Sequence, residues 1–307
     1  MKVFKQTTFS EPGRHPLTPY LFLLPYILLF LIFSIYPYVV GIQMSFSKMI
    51  GFKIGSYVGF RHYERVLSDE RFWASAINSF KFMLGSLATQ VPAAFVLAIL
   101  LNEAPRRLKG FLRAAFFMPV LISGSVASII FIMLFRREFG IVNWLIGLFT
   151  GSPANFNWLM SEALAFPVMW IISFWMWTGF HMVYFLASLQ VIDPGLYEAA
   201  RIDGASWWQQ TTRITMPLMR PAFIFVMVTS AIGGLQLFDL PFMIWQQGGE
   251  SYGPGRAGLM FMTYLYNYAF RTNLVGQASA AGWLIFLALL LWTAFQLKVL
   301  GVNKPVD

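Results

Sequence analysis

Two alanines set between charges are the residues best placed to do chemistry in this 307-residue chain, and that chemistry is docking rather than bond making. The run Glu198-Ala199-Ala200-Arg201-Ile202-Asp203-Gly204 is followed, after nine residues, by Ile214-Thr215-Met216-Pro217. Asp193 suits a helix N-cap and Pro194 the first helical turn, where a missing N–H costs nothing. The spacing therefore predicts a short helix starting there. Ala199 and Ala200 give it a face with almost no bulk, Glu198 adds an anchoring charge, and Gly204 can take the left-handed conformation that ends it. Ser206 can cap a second helix through Trp207 and Trp208. Pro217 and Pro221 stand where the next long helix begins.

Bond-making chemistry finds few footholds elsewhere. The chain has no cysteine, which excludes disulfides, thiolate metal sites and a cysteine nucleophile. No G-x-x-x-x-G-K-[S/T] occurs, so the chain cannot hydrolyse ATP by itself. Proton- or sodium-coupled carriers keep ionisable side chains deep in the membrane, where they are costly and persist for function. Here His181 is the one titratable group well inside an apolar stretch; Lys81 and Arg113 fall near stretch ends, and Asp239 falls near the end of another. A passive channel would need no energy but would leave the docking loop without a reason; a separate partner gripping that loop could supply energy from outside the chain.

The elements that must hold this loop are membrane spans. A composition 58% apolar and 11% charged, with mean hydropathy +0.63, is too apolar for an ordinary soluble globule. Crossing the hydrocarbon layer takes about 20 apolar residues. Six stretches qualify: 20–46, 74–101, 111–135, 163–190, 221–244 and 276–299. The first follows Lys2, Lys5 and Arg14, but its core is too long for a signal peptide and no cleavage site follows, so it reads as an uncleaved anchor. The net charge of +9 is scattered through short loops, which favours lipid headgroups and a partner protein over nucleic acid.

Loop charges set the orientation. Arg106, Arg107, Lys109 and Arg113 crowd the connector 102–113, which therefore reads as cytoplasmic, and alternation puts the N-terminus, the 191–220 loop, Lys298 and Lys304 on the same side. The outer loops are 47–73, 136–162 and 245–275. The first of these holds Lys48, Lys53, Arg61, Arg65 and Arg71, so the excess of inward positive charge is small.

The loop motif resembles the cytoplasmic coupling loop of ATP-binding-cassette importer permeases: EAA, three residues, Gly, nine residues, Ile, one residue, Leu-Pro. Met216 stands in place of the leucine. Further likeness to carbohydrate permeases of the maltose-transporter kind lies in Tyr57-Val58-Gly59-Phe60 with Tyr63 and Phe72-Trp73, in Phe238-Asp239, and in Ala278 to Gly282. Gly248-Gly249 also matches, although Glu250 follows where the family has Gly-Pro; Gly253-Pro254-Gly255 comes shortly after.

The resemblance implies an all-α, type I importer permease fold with six transmembrane helices. Its expected parts are a cytoplasmic segment 1–19, a first helix and outer loop 20–73, a five-helix core 74–299 containing the coupling loop 191–220, and a tail 300–307. It implies a heterodimer with a second permease, with the first helix packed around that partner. It also implies a pair of ATPase subunits that bind the ATP and magnesium, and an extracytoplasmic solute-binding protein. Glu198, Ala199, Ala200, Arg201, Asp203, Gly204, Ile214 and Pro217 would couple to the ATPase.

A sugar path should be neutral, polar and aromatic, and the fourth and fifth spans offer Ser173, Trp175, Trp177, His181, Tyr184, Ser230, Gly233, Gly234, Gln236 and Asp239. Counted from the loop motif, Ser230 falls where the maltose system contacts sugar, and Ser173, Trp177, Phe180, Gly234 and Leu237 fall on other contact positions. An importer for a different solute shares the same loop and stays open as a reading. An ion-coupled carrier or channel acting alone fits less well, because it explains neither the loop nor the missing carboxylates.

Overall fold

A computed structural model describes residues 18–51, 53–152, 154–246 and 252–301. Lys2, Lys5, Arg14, Gly248-Gly249-Glu250 and Lys304 lie outside the described residues. Among the described residues, five helices are long and apolar enough to cross a membrane: α1 Tyr20–Ser45, α3 Glu70–Glu103, α7 Glu162–Leu189, the run Arg220–Gln246, whose main helix α10 is Arg220–Leu235, and α12 Val275–Val299. Between them lie α2 Arg61–Leu67, α4 Arg106–Phe117, α5 Gly124–Leu134, α6 Ile141–Thr150, α8 Pro194–Ile202, α9 Trp207–Gln210 and α11 Phe261–Tyr266.

The third expected span, 111–135, is not one continuous helix. Segments Arg107–Leu121 and Gly124–Leu134 meet at 97°. Pro119 tightens the end of the first into a 3-10 turn, and Ser123 then caps a new helix by accepting a hydrogen bond from the Val126 N–H at 3.3 Å. A proline followed by an N-cap and a glycine stops one helix and starts another. The fifth span is interrupted as well: α10 ends at Leu235, and helix resumes at Asp239.

The expected all-α fold gains one small sheet. Strands β1 Ser47–Ile50 and β2 Lys53–Tyr57 pair antiparallel, Ile50 opposite Lys53 and Ser47 opposite Tyr57, with a bulge between Ser47 and Met49. This hairpin sits in the 47–73 loop, where Gly51 adopts φ +61° at the turn.

Close packing of α3 on α7 forms the centre of the molecule, and glycines set how close they come. A Cβ on Gly85 would lie 2.1 Å from the Trp170 ring, whose Nε1 donates to the Phe82 carbonyl at 3.1 Å. A Cβ on Gly179 would lie 1.7 Å from the Phe116 carbonyl oxygen, so α4 crosses α7 backbone to backbone. Near the 191–220 end, Phe95 of α3 meets Phe185 of α7 and Phe223 of α10 at ring separations of 5.8 and 5.0 Å, filling a core with Met182, Leu186 and Met219. At the other end Val66, Phe72, Phe261 and Tyr264 join Ala280, Ala281 and Ile285 of α12.

The start of α3 is bound to the segment 252–271. Asp69 caps α3 by accepting from the Arg71 N–H at 2.9 Å, and the same carboxylate accepts the hydroxyls of Tyr264, at 3.0 Å, and Tyr268. Asn78 donates to the carbonyls of Arg256 and Leu259, Ser79 accepts from the Phe261 N–H, and Glu70 pairs with Arg256 at 3.1 Å. Burial and the Asp69 contact push the Tyr268 hydroxyl up to about 12; burial raises Tyr264 too, aided by Tyr268 and Asp69.

Candidate functional site

A cavity of about 520 Å³ opens between α3, α7 and α10, closed on one side by the break in the third span. Ser173, Trp177, Phe180, His181, Ser230, Gly234, Gln236 and Asp239 all line it. Tyr184 does not; it packs on Phe225 at 4.7 Å and on Phe180 at 5.0 Å. Periodicity explains the convergence: Ser173, Trp177, Phe180 and His181 share one face of α7, at steps of three or four residues.

Hydrogen bonds hold the polar lining in place. Ser230 Oγ and His181 Nε2 stand 2.9 Å apart across α10 and α7, and Gln90 Nε2 donates to Ser173 Oγ at 2.7 Å across α3 and α7. Both Ser86 Oγ and His181 Nδ1 are buried without a partner among the described residues. Aromatic faces complete the wall, with Trp177 edge-on to Phe180 at 5.9 Å.

Asp239, exposed near the end of the fifth span as its place in the sequence suggests, also lines the cavity. It enters the cavity at the N-terminus of α5, where Ser125 Oγ donates to its Oδ1 at 3.5 Å. Unpaired N–H groups at a helix start favour a carboxylate. Gly124 permits the approach, since a Cβ there would lie 2.7 Å from Asp239 Oδ2. Among the described lining residues there is no lysine or arginine. Lys81 lies three turns into α3, exposed, its Nζ 4.1 Å from the Phe166 ring centroid in a cation-π contact.

The 191–220 loop forms as its caps require. Asp193 accepts from the Gly195 N–H at 2.9 Å, Pro194 opens α8, and Gly204 ends it at φ +77°. Ser206 and Gln209 make a reciprocal capping box on α9. No residue of α8 is buried, and Glu198, Ala199, Arg201, Asp203 and Gly204 are exposed, with Ala200 half-buried. Ile214 is half-buried and Pro217 exposed on the turns that lead into α10. Behind the loop, Tyr197 and Thr215 share a hydrogen bond at 2.9 Å.

Residues 90–301 match the family of binding-protein-dependent transport system inner membrane components. The chain belongs to that family. It is a multi-pass permease subunit and not an ATPase. Similar permeases include the arabinooligosaccharides transport system permease AraP of Bacillus subtilis (strain 168), 32% identical over 93% of this chain and 89% of the relative. The lactose transport system permease LacF of Rhizobium radiobacter is 32% identical over 82% and 83%, and the trehalose/maltose permease MalF of Thermococcus litoralis 32% over 91% and 92%. In fold the permease matches a bacterial ABC transporter that imports the acidic polysaccharide alginate, with TM-score 0.82, 24% identity and coverage of 94% and 96%. The alginate transporter bound to a pentasaccharide-loaded periplasmic protein gives TM-score 0.79 at 26% identity, covering 91% and 92%.

Sequence reasoning missed the contribution of α3 and of the broken span. Phe82, Ser86 and Gln90 project from α3 at four-residue steps into the cavity, and Val120, Ile122 and Gly124 line it from the break. Gln90 carried a usable signal, because an amide deep in an apolar span needs a partner. Pro119 with Ser123-Gly124 carried another.

Proposed function

We propose that this permease forms half of the translocation path of an ATP-driven importer for a neutral sugar or oligosaccharide. The observation that carries the reading is the cavity lining: hydroxyls, amides, an imidazole and aromatic faces, with one carboxylate and no cation among the described residues. Sugar hydroxyls pair with such groups and sugar faces pack on rings, whereas an anion would need a lysine or arginine to meet it. Relatives named for arabinooligosaccharide, lactose and trehalose/maltose transport support the same class.

In this reading Glu198 to Gly204, with Ile214 and Pro217, couple the permease to a separate ATPase that binds ATP and magnesium. The partners are a second permease, a pair of ATPase subunits and an extracytoplasmic solute-binding protein. Both termini and the 191–220 loop face the cytoplasm. The first helix, exposed from Tyr20 to Phe33, packs on the second permease while the 74–299 core carries the path. ATP binding draws the paired coupling helices together, and the helices rock from inward- to outward-facing, so that Ser173, Trp177, Phe180, His181, Ser230 and Gln236 meet the solute in passage. Binding of a saccharide panel, neutral, aminated and acidic, to the cognate solute-binding protein tests the class. Tight binding of neutral glycans is expected; selective binding of an amino acid, a metal or an acidic glycan would overturn it.

A further inference from the structure

The helix that carries Glu198 lies at the surface of the permease, while Thr211, Thr215 and Met219 of the same loop are buried. This helix, α8, buries no side chain, and the hydrogen bonds of Asp193, Arg201, Ser206, Gln209 and Gln210 stay within the loop. Arg220, where the loop meets α10, donates to the Leu300 and Gly301 carbonyls at the end of α12, and the loop's link to α3 is made by Trp207 Nε1, which donates to Glu103 Oε1 at 3.3 Å. Glu103 is the last residue of α3, the helix that carries Phe82, Ser86 and Gln90 into the cavity. Between the two elements lies a groove of about 530 Å³, lined by Ile99, Leu189, Tyr197, Arg201 and Trp207, while Ile192 and Met219 at the two ends of the loop pack into the core that α3 shares.

We propose that Glu103 is a positioning residue for energy coupling: through Trp207 it binds the loop to α3, so that α3, α7 and α10 shift together when the loop is moved. The inference rests on the coupling role given to the loop above. An exposed hydrogen bond of this length contributes little to stability. Its effect falls on register: α3 already packs on α7 and α10 through Phe95, and this bond ties the last residue of α3 directly to α9 of the loop.

Spin labels on Leu196→Cys and Leu100→Cys test this, since the chain holds no cysteine of its own. The labelled permease is studied in its complete transporter, the other subunits cleared of reactive cysteines, before and after trapping with MgATP and vanadate. The unaltered pair should give one narrow distance that trapping leaves in place. Trp207→Phe, which keeps the ring and loses the donor, and Glu103→Ala should broaden it and lower the trapped fraction several-fold. Glu103→Gln keeps an acceptor and should behave as the unaltered protein. A distance that shifts on trapping in the unaltered pair overturns the proposal, as does a Trp207→Phe protein with normal trapping, whether or not the distance broadens. Glu198→Lys separates the two readings: if it too traps normally, the coupling role of the loop falls; if it fails while Trp207→Phe traps normally, only the Glu103 tether falls.

Discussion

Ser230 is small, half-buried and tied to His181, so its neighbourhood cannot absorb a large side chain without filling the space beside it. We predict that Ser230→Trp leaves the permease assembled and blocks uptake; normal uptake in reconstituted vesicles would remove Ser230 from the path. Gly204 has a different constraint. Its surroundings are open, but φ +77° strains most other residues by about 1 kcal/mol or more. Gly204→Asp should therefore remain in the membrane yet lose uptake and shed the ATPase, and copurification of a stoichiometric ATPase would count against docking at this turn.

Helix crossings in this permease tolerate no added bulk where backbones touch. At Gly179 the obstacle is a carbonyl of α4 rather than a movable side chain, so Gly179→Ala should cost about 1–3 kcal/mol and lower the detergent melting temperature. An unchanged melt would mean that α4 can slide. The contact between the start of α3 and the segment 252–271 responds to alkali. Tyr268 keeps its proton to about 12 when folded and loses it near 10 when unfolded, so its contribution is complete below about pH 10 and is lost as pH rises through 12. Tyr268→Phe should flatten the decline of the melting temperature across that window, and an equally steep decline would show that other groups control it. The elements themselves were legible to differing degrees. α7 and α12 were readable within a residue or so because apolar length is counted along the chain, and α8 because Asp193, Pro194 and Gly204 fix both its ends. The bend at Ile122–Ser123 was not, since hydropathy carries no direction and Pro119 is a local signal inside an apolar run. Gln90 and Ser86 escaped for a related reason: polarity marks a residue as needing a partner but does not say which neighbouring helix provides one.

Taken as a molecule, the permease joins two specialised regions by continuous helices. α7 ends just before the loop and α10 begins just after it, and both line the cavity. A charge reversal at the loop should therefore be felt as a failure of timing. Glu198→Lys is expected to assemble and to hydrolyse ATP at its basal rate, with hydrolysis no longer raised by solute-loaded binding protein; unchanged stimulation in reconstituted vesicles would sink that idea.

The right-angled break in the third span has one more consequence. Irregular backbone at membrane depth is tolerated where it adjoins protein or water, not lipid, and Val120, Ile122 and Gly124 turn theirs toward the cavity. Ser123 meets the Val126 N–H, and the N–H groups before it open toward Asp239 and the cavity, where water can reach them. In the proposed path a passing molecule would then meet a wet conduit and could keep part of its own hydration shell, so that transit would resemble exchange between two solvents more than capture. Leakage in such a conduit is limited by keeping one end shut at all times, not by a tight fit around the cargo.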